Sequence, residues 1–312
     1  MRHTSFTLPQ QSGEVFMSDG GIETTLIFEF GIDLPDFAAF PLLRSDHGRN
    51  VLKTYYRRHA GIAQANDRGF VFESATWRAS QDWGDRLGFS PVDLAQINRA
   101  AITLMEEVRD EFPGMKSVVS GCVGPRGDGY RPGELMTAGE AESYHIRQIE
   151  SFAATDAELV TAITITNTPE AIGITRAAQA EAMPVVISFT VETDGRLPTG
   201  QPLGEAIEQV DAETDTGPAY FMLNCAHPDH FRDTLAAGEG WLRRLCGIRA
   251  NASRQSHAEL DEAEELDAGN PEETGRDYAE LRKMLPHLVV FGGCCGTDHR
   301  HIEQAARAIS QN

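Results

Sequence analysis

The chain has 312 residues, of which 41% are hydrophobic, and 47 aspartates and glutamates outnumber 27 lysines and arginines to leave a formal charge of -20. Such a composition belongs to a globular protein that buries a sizeable core, not to a disordered chain. Its charge gives no electrostatic support to binding a phosphate backbone or an anionic lipid surface, so no nucleic-acid partner and no membrane partner is expected. Residues 1–15 lack the apolar core of a signal peptide, and nowhere do ~18 apolar residues run together. Five cysteines, an odd number, fit reduced thiols in a cytoplasmic protein better than a disulfide framework.

Short runs rich in apolar and β-branched residues recur along the chain, each ending in small or polar residues as buried parallel strands do. In order they are Val15–Gly21, Phe70–Thr76, Ser117–Val123, Leu159–Thr166, Pro184–Val191, Ala219–Ala226, Gly247–Ala252 and Leu288–Cys295. Helix start signals lie between them. Ser90 then Pro91 opens Val92–Phe112, Thr137 with Glu140 forms a capping box ahead of Ala141–Ala154, and Thr168 then Pro169 opens a helix through Ala182. Pro228 opens another, and the last runs from about His299 to Ile309. Strand–helix alternation at a spacing of roughly 40 residues predicts the α/β class and a (β/α)8 TIM barrel, one domain over residues 1–312. No G-x-G-x-x-G dinucleotide fingerprint follows the first strand.

Two segments break the rhythm, Glu192–Gln201 and the acidic, apolar-poor Ser256–Gly275. Both follow strands, which puts them on the face where barrels build their sites; the second reads as a solvated loop, with a lid as the sharper alternative.

The barrel rule also sorts the cysteines. Cys225 ends strand six, Cys294 and Cys295 end strand eight and Cys122 ends strand three, whereas Cys246 lies in helix-like sequence beside Trp241 and Leu245 and reads as core. Three thiolates can supply three corners of a zinc tetrahedron and leave the fourth for substrate. The adjacent pair in Gly292-Gly293-Cys294-Cys295-Gly296 favours metal over three inert buried thiols, because flanking glycines remove bulk and let the backbone approach a ligand. His227 precedes Pro228 and reads as a loop or helix-start residue rather than a ligand; His299 and His301 begin the last helix.

With these residues in view, the sequence resembles the homocysteine S-methyltransferase family over nearly its whole length. The marks are Asp19-Gly20-Gly21, Thr76-Trp77-Arg78-Ala79-Ser80, Gly121-Cys122-Val123-Gly124-Pro125, Asn224-Cys225 and Gly292-Gly293-Cys294-Cys295-Gly296-Thr297. The resemblance implies a (β/α)8 barrel that binds Zn2+ on Cys225, Cys294 and Cys295. It also implies methyl transfer from a small sulfonium or quaternary ammonium donor to a thiol acceptor, homocysteine giving methionine. Asp19 would hold the acceptor's amino group, Gly20 and Gly21 its carboxylate. Asn224 would orient the site, and Thr164 is a further substrate-binding candidate. Trp77 and Tyr220 could offer π-faces to a cationic donor.

One position departs from the family. A glutamate at the end of strand four that joins the aspartate in gripping the acceptor is replaced by Ile163. Glu23, Glu73, Thr164 or Thr166 could offset the loss, or the acceptor could be another thiol. A zinc-binding barrel without activity and a metal-assisted hydrolase are the other readings. The expected partners are small molecules, with no room for a cobalamin or folate domain in the chain, and homo-oligomerisation is left open.

Overall fold

Each expected strand is realised, and the eight close on one another. The computed structural model describes residues 8–237, 240–263 and 265–310, so residues 1–7 of the N-terminal stretch lie outside it. The strands are β1 (Phe16–Met17), β2 (Gly69–Glu73), β3 (Ser117–Val123), β4 (Leu159–Ile165), β5 (Val185–Phe189), β6 (Tyr220–Asn224), β7 (Leu245–Ala250) and β8 (Val290–Gly293). They form a closed parallel barrel in sequence order, with Phe16 paired to Gly69 on one side and to Val290 on the other.

The helices are α1 (Ile22–Thr24), α2 (Asp46–Ala65), α3 (Gln81–Arg86), α4 (Pro91–Arg109), α5 (Ala138–Ala153), α6 (Thr168–Ala180), α7 (Leu203–Thr214), α8 (Pro228–Ala236), α9 (His257–Glu262), α10 (Pro271–Met284) and α11 (His299–Ser310). The Ser90–Asp93 and Thr137–Glu140 capping boxes form as expected. At α6 the cap is Asn167, one residue before the expected Thr168, because its amide oxygen reaches the Glu170 N–H. His227 caps α8 through Nδ1, which accepts the Asp229 N–H at 3.1 Å. No helix among the described residues is long and apolar enough to cross a membrane.

Alternation along the strands divides the barrel interior into layers. Phe16, Val71, Val118, Leu159, Val186 and Val290 pack an apolar floor. Two residues further along, the same strands present Ser18, Glu73, Ser120, Thr161, Ser188 and Gly292. This polar layer is bonded across strands, Ser120 to Thr161 at 2.8 Å and Ser188 to Asn224 at 2.7 Å. The site opens above it.

Three expectations change. Tyr220 starts β6 and joins the floor, its hydroxyl accepting from Gln10, so it is at the wrong end of the barrel to meet a donor. Cys246 lies in β7 rather than a helix, half-buried against the floor, because Leu245 pairs in register with Phe221 and the strand starts two residues before Gly247. The acidic Ser256–Gly275 segment is not a plain loop. A Ser256–Glu259 capping box nucleates α9, and the Asn270 cap with Pro271 starts α10.

Candidate active site

The end of β6 and the end of β8 meet over the polar layer. Cys225 directly follows β6 and Cys294-Cys295 directly follow β8. Strand β7 between them holds both in place: the Cys225 N–H donates to the Arg249 carbonyl at 3.1 Å and the Cys294 N–H to the Ala250 carbonyl at 2.9 Å. The three sulfurs all lie within 4.8 Å of one another, with Cys225 and Cys295 Sγ 3.6 Å apart. Zn–S bonds of ~2.3 Å in a tetrahedron place sulfurs about 3.8 Å apart, so the donor set and its spacing fit zinc. Cys122 is buried nearby and lines the same cavity, outside the sulfur trio.

Ionisation within the trio is divided unequally. Hydrogen bonds from Cys225 and Cys295, with the Arg249 charge and the Asn224 amide, hold the Cys294 thiol well below the ordinary range. The Cys225 thiol is pushed up because its proton is committed to Cys294 and Cys295.

Asn224 is the last residue of β6 and ties three strand ends together. Its Oδ1 accepts the Thr164 N–H at 2.8 Å and the Ser188 hydroxyl at 2.7 Å. Its Nδ2 donates to Thr164 Oγ1 at 2.8 Å and points to Cys294 Sγ at 3.7 Å. The clamp holds Thr164 at φ 63° and Cys225 sits at φ 58°, a left-handed conformation that costs non-glycine residues about 1–3 kcal/mol each. The register of β4 shifts here, between Ala162 and Ile165. Half-buried Ile163 and buried Thr164 thus line the cavity, and Thr166 is buried beyond.

Asp19, Gly20 and Gly21 leave β1 beside the cysteine segment. A Cβ on Gly21 would lie 2.4 Å from the Cys294 carbonyl oxygen, so only glycine admits this approach. The Gly21 N–H is already bonded to Thr297, by its carbonyl oxygen at 3.0 Å. Both Asp19 oxygens are engaged as well: Oδ1 by Arg249 at 2.8 Å and Oδ2 by the Tyr55 hydroxyl at 3.0 Å.

Arg249 was not anticipated as a site residue. From β7 it reaches across Gly292, where a Cβ would sit 3.2 Å from its Cγ, and pairs with both Asp19 and Glu73. Burial works against its charge, but the two carboxylates more than offset that and keep it protonated. Burial pushes Glu73 up, and Arg249 counters it. The available signal was a lone cation in the apolar run Gly247–Ala252, which costs too much to bury unpaired.

Tyr130, from the loop after β3, carried no sequence signal. Its hydroxyl lies 3.3 Å from Cys225 Sγ and 3.4 Å from Cys295 Sγ, and its ring stacks on His257 of α9 at 4.2 Å. Trp77 also lines the cavity and donates through Nε1 to the Ile163 carbonyl at 3.2 Å. The cavity holds ≈ 580 Å³ and is walled on one side by Leu260, Asp261 and Leu266 of the acidic segment. Glu23, in the first turn of α1, faces it; burial pushes its carboxyl up to about 7, with the Cys294 and Asp19 charges adding to the rise and its own backbone N–H and the Arg78 charge opposing it.

Comparison with known proteins bears on this arrangement. The profile of the homocysteine S-methyltransferase family matches residues 16–309. The methionine synthase of Mycobacterium leprae is 26% identical over 95% of this chain, which spans 24% of that relative's length. Two crystal structures of the Escherichia coli homocysteine methyltransferase MmuM share the fold. The oxidised form has a TM-score of 0.74 at 16% identity, covering 95% of this chain and 96% of that one. The metallated form has 0.73 at 17%, covering 94% and 96%. With a match that runs from the first strand to the last helix, the chain belongs to the homocysteine S-methyltransferase family.

Proposed function

We propose that the chain transfers a methyl group from a small sulfonium or quaternary ammonium donor, of the S-methylmethionine, S-adenosylmethionine or betaine kind, to a thiol held on zinc by Cys225, Cys294 and Cys295. Homocysteine is the acceptor and methionine the product. The observation that carries this reading is the sulfur trio at one end of a cavity large enough for two small substrates. When bound, zinc supplies the charge that keeps an acceptor thiol ionised at neutral pH.

The chain's own groups have separate tasks. Asn224 fixes Thr164 and the Cys294 side of the trio, and the Tyr130 hydroxyl donates towards the sulfurs from the cavity side. The acidic lining, Asp36, Asp128, Asp261 and Glu265 among it, favours a cationic donor over an anionic one. Trp77 and Tyr130 offer aromatic faces to the same cation. In the transfer, the acceptor sulfur's electron pair forms the new S–CH3 bond. The methyl group's bond to the donor sulfur or nitrogen breaks, its electrons remain on the neutral leaving group, and the thiol proton passes to solvent.

A second reading keeps the chemistry and changes the acceptor. Both Asp19 oxygens are occupied and Ile163 offers no carboxylate, which favours a thiol not gripped at Asp19. Metal analysis with a turnover panel tests both readings. The panel pairs homocysteine, cysteine derivatives and simple mercaptans with S-methylmethionine, S-adenosylmethionine and betaine. About one zinc per chain and turnover with one pair is expected; a metal-free, fully active protein would sink the zinc reading. Zinc without turnover on any pair would point to a binding barrel.

A further inference from the structure

We propose that Glu23 is the residue of this cavity that reads a positive charge on a substrate, taking the place that the Asp19 carboxylate has given up to Arg249. The inference rests on the methyl-transfer reading for its choice of substrates, and on the geometry of the cavity for the residue.

The cavity's carboxylates are nearly all accounted for. Asp19 and Glu73 share Arg249. Asp128 faces Arg78 at 3.8 Å and accepts the Tyr130 N–H at 2.8 Å. Asp261 pairs with Arg131 at 2.7 Å and Asp267 accepts from Ser253 at 2.6 Å. The rest, at the rim, are exposed to water, except Glu23. It is half-buried, and among the described residues it has no ion pair and no hydrogen bond beyond its own backbone N–H. The second cavity-lining cation, Arg78, bonds the Asp36 carbonyl, faces Asp128 and lies over the Trp83 ring at 3.8 Å; it forms no ion pair with Glu23, and its charge reaches that carboxyl only from a distance.

A carboxylate withdrawn from water without a partner is costly unless a ligand supplies one. Glu23 follows the Gly20-Gly21 turn that packs on Cys294, and it feels the Cys294 charge. A substrate whose sulfur sits on the cysteine trio therefore passes near it. The chemistry it selects is a compact cation, either the ammonium of an amino-acid thiol or the onium centre of the methyl donor.

Glu23→Gln keeps the shape and removes the charge. Zinc-loaded wild type and E23Q are titrated calorimetrically with two matched pairs: homocysteine against 4-mercaptobutyrate, which lacks the amine, and betaine against 3,3-dimethylbutyrate, in which carbon replaces the charged nitrogen. Zinc content is compared as a control and is expected to be equal. The expected result is a loss of at least tenfold in E23Q for the charged member of one pair, with its neutral partner within twofold. The pair that responds identifies acceptor or donor as the source of the cation. Equal losses for charged and neutral ligands, no change for either charged ligand, or a wild type that prefers neither charged member would overturn the proposal. Charge-selective binding without methyl transfer would instead remove the methyl-transfer reading and leave Glu23 standing.

Discussion

Arg249 Nη2 stands 2.8 Å from Asp19 Oδ1, so the carboxylate that the family resemblance assigns to the acceptor's amine is bonded to the protein's own guanidinium. The same guanidinium holds Glu73, and all three side chains are buried. Removing the cation alone leaves two carboxylates facing each other away from water. Arg249→Met should therefore cost about 3–5 kcal/mol of stability, the range for breaking a buried pair from one side. Urea denaturation measures it, and a cost below about 1 kcal/mol would mean that the carboxylates find other partners.

Zinc binding should depend on all three thiols and only weakly on Cys122. Cys295→Ala and Cys225→Ala are expected to lower metal content from about one per chain towards zero, while Cys122→Ala retains it, because its sulfur lies outside the trio. Chelation should lower the melting temperature of wild type and leave the Cys295→Ala variant unmoved, as binding to the folded state alone stabilises it. Elemental analysis and thermal melts read both outcomes.

The Asn224 clamp makes a prediction that separates positioning from folding. Asn224→Ala removes the side-chain partners of Thr164 and Ser188 and the amide beside Cys294. Outer contacts of a metal ligand are worth 10–100-fold in affinity or activity, so turnover should fall by that order. Thr164→Gly relieves the positive φ but gives up the Oγ1 contact, so it should lose activity while holding stability within about 1 kcal/mol. A Thr164→Gly variant with full activity would count against a role for that hydroxyl.

Acid sensitivity should begin at Glu170. This buried carboxylate accepts from the Arg126 N–H at 2.7 Å, from Asn167 Nδ2 at 3.1 Å, and faces His145 Nε2 at 3.0 Å. Burial alone would raise its pKa, but the His145 and backbone contacts together hold it below the ordinary glutamate value. A carboxyl whose folded pKa is depressed contributes stability above its unfolded value near 4.3, and that contribution is lost as pH falls through the folded value. Glu170→Gln should thus flatten the acid limb of the stability curve below about pH 4.5. Denaturation midpoints at pH 3–7 would show it.

The acidic segment offers a test of mobility. Arg131 pairs with Asp261 of α9 at 2.7 Å, but both side chains are largely exposed. Asp261→Asn should change global stability by less than about 1 kcal/mol. If α9 closes over the cavity, amide exchange in residues 256–267 should speed up in the variant and slow on addition of acceptor to wild type. Unchanged exchange in both cases would make the segment a fixed wall.

Strand order, helix starts and the cysteine trio were legible in the sequence because each depends on local pattern. Apolar runs end in small residues, caps announce themselves through Ser90 and Thr137, and parallel strands in a barrel deliver their ends to one face. Cys225, Cys294 and Cys295 could therefore be brought together from positions far apart in the chain. What only the tertiary structure decided is which charges face each other once they arrive. Arg249 reaches Asp19 and Glu73 because Gly292 leaves a gap beside it. Tyr130 reaches two sulfurs from a loop whose path no periodicity dictates. Among the described residues Glu23 has no ion pair, because Arg249 is held by Asp19 and Glu73 while Arg78 faces Asp128. Ion pairing across a barrel depends on distances in space, and the spacing of residues along the chain does not encode them.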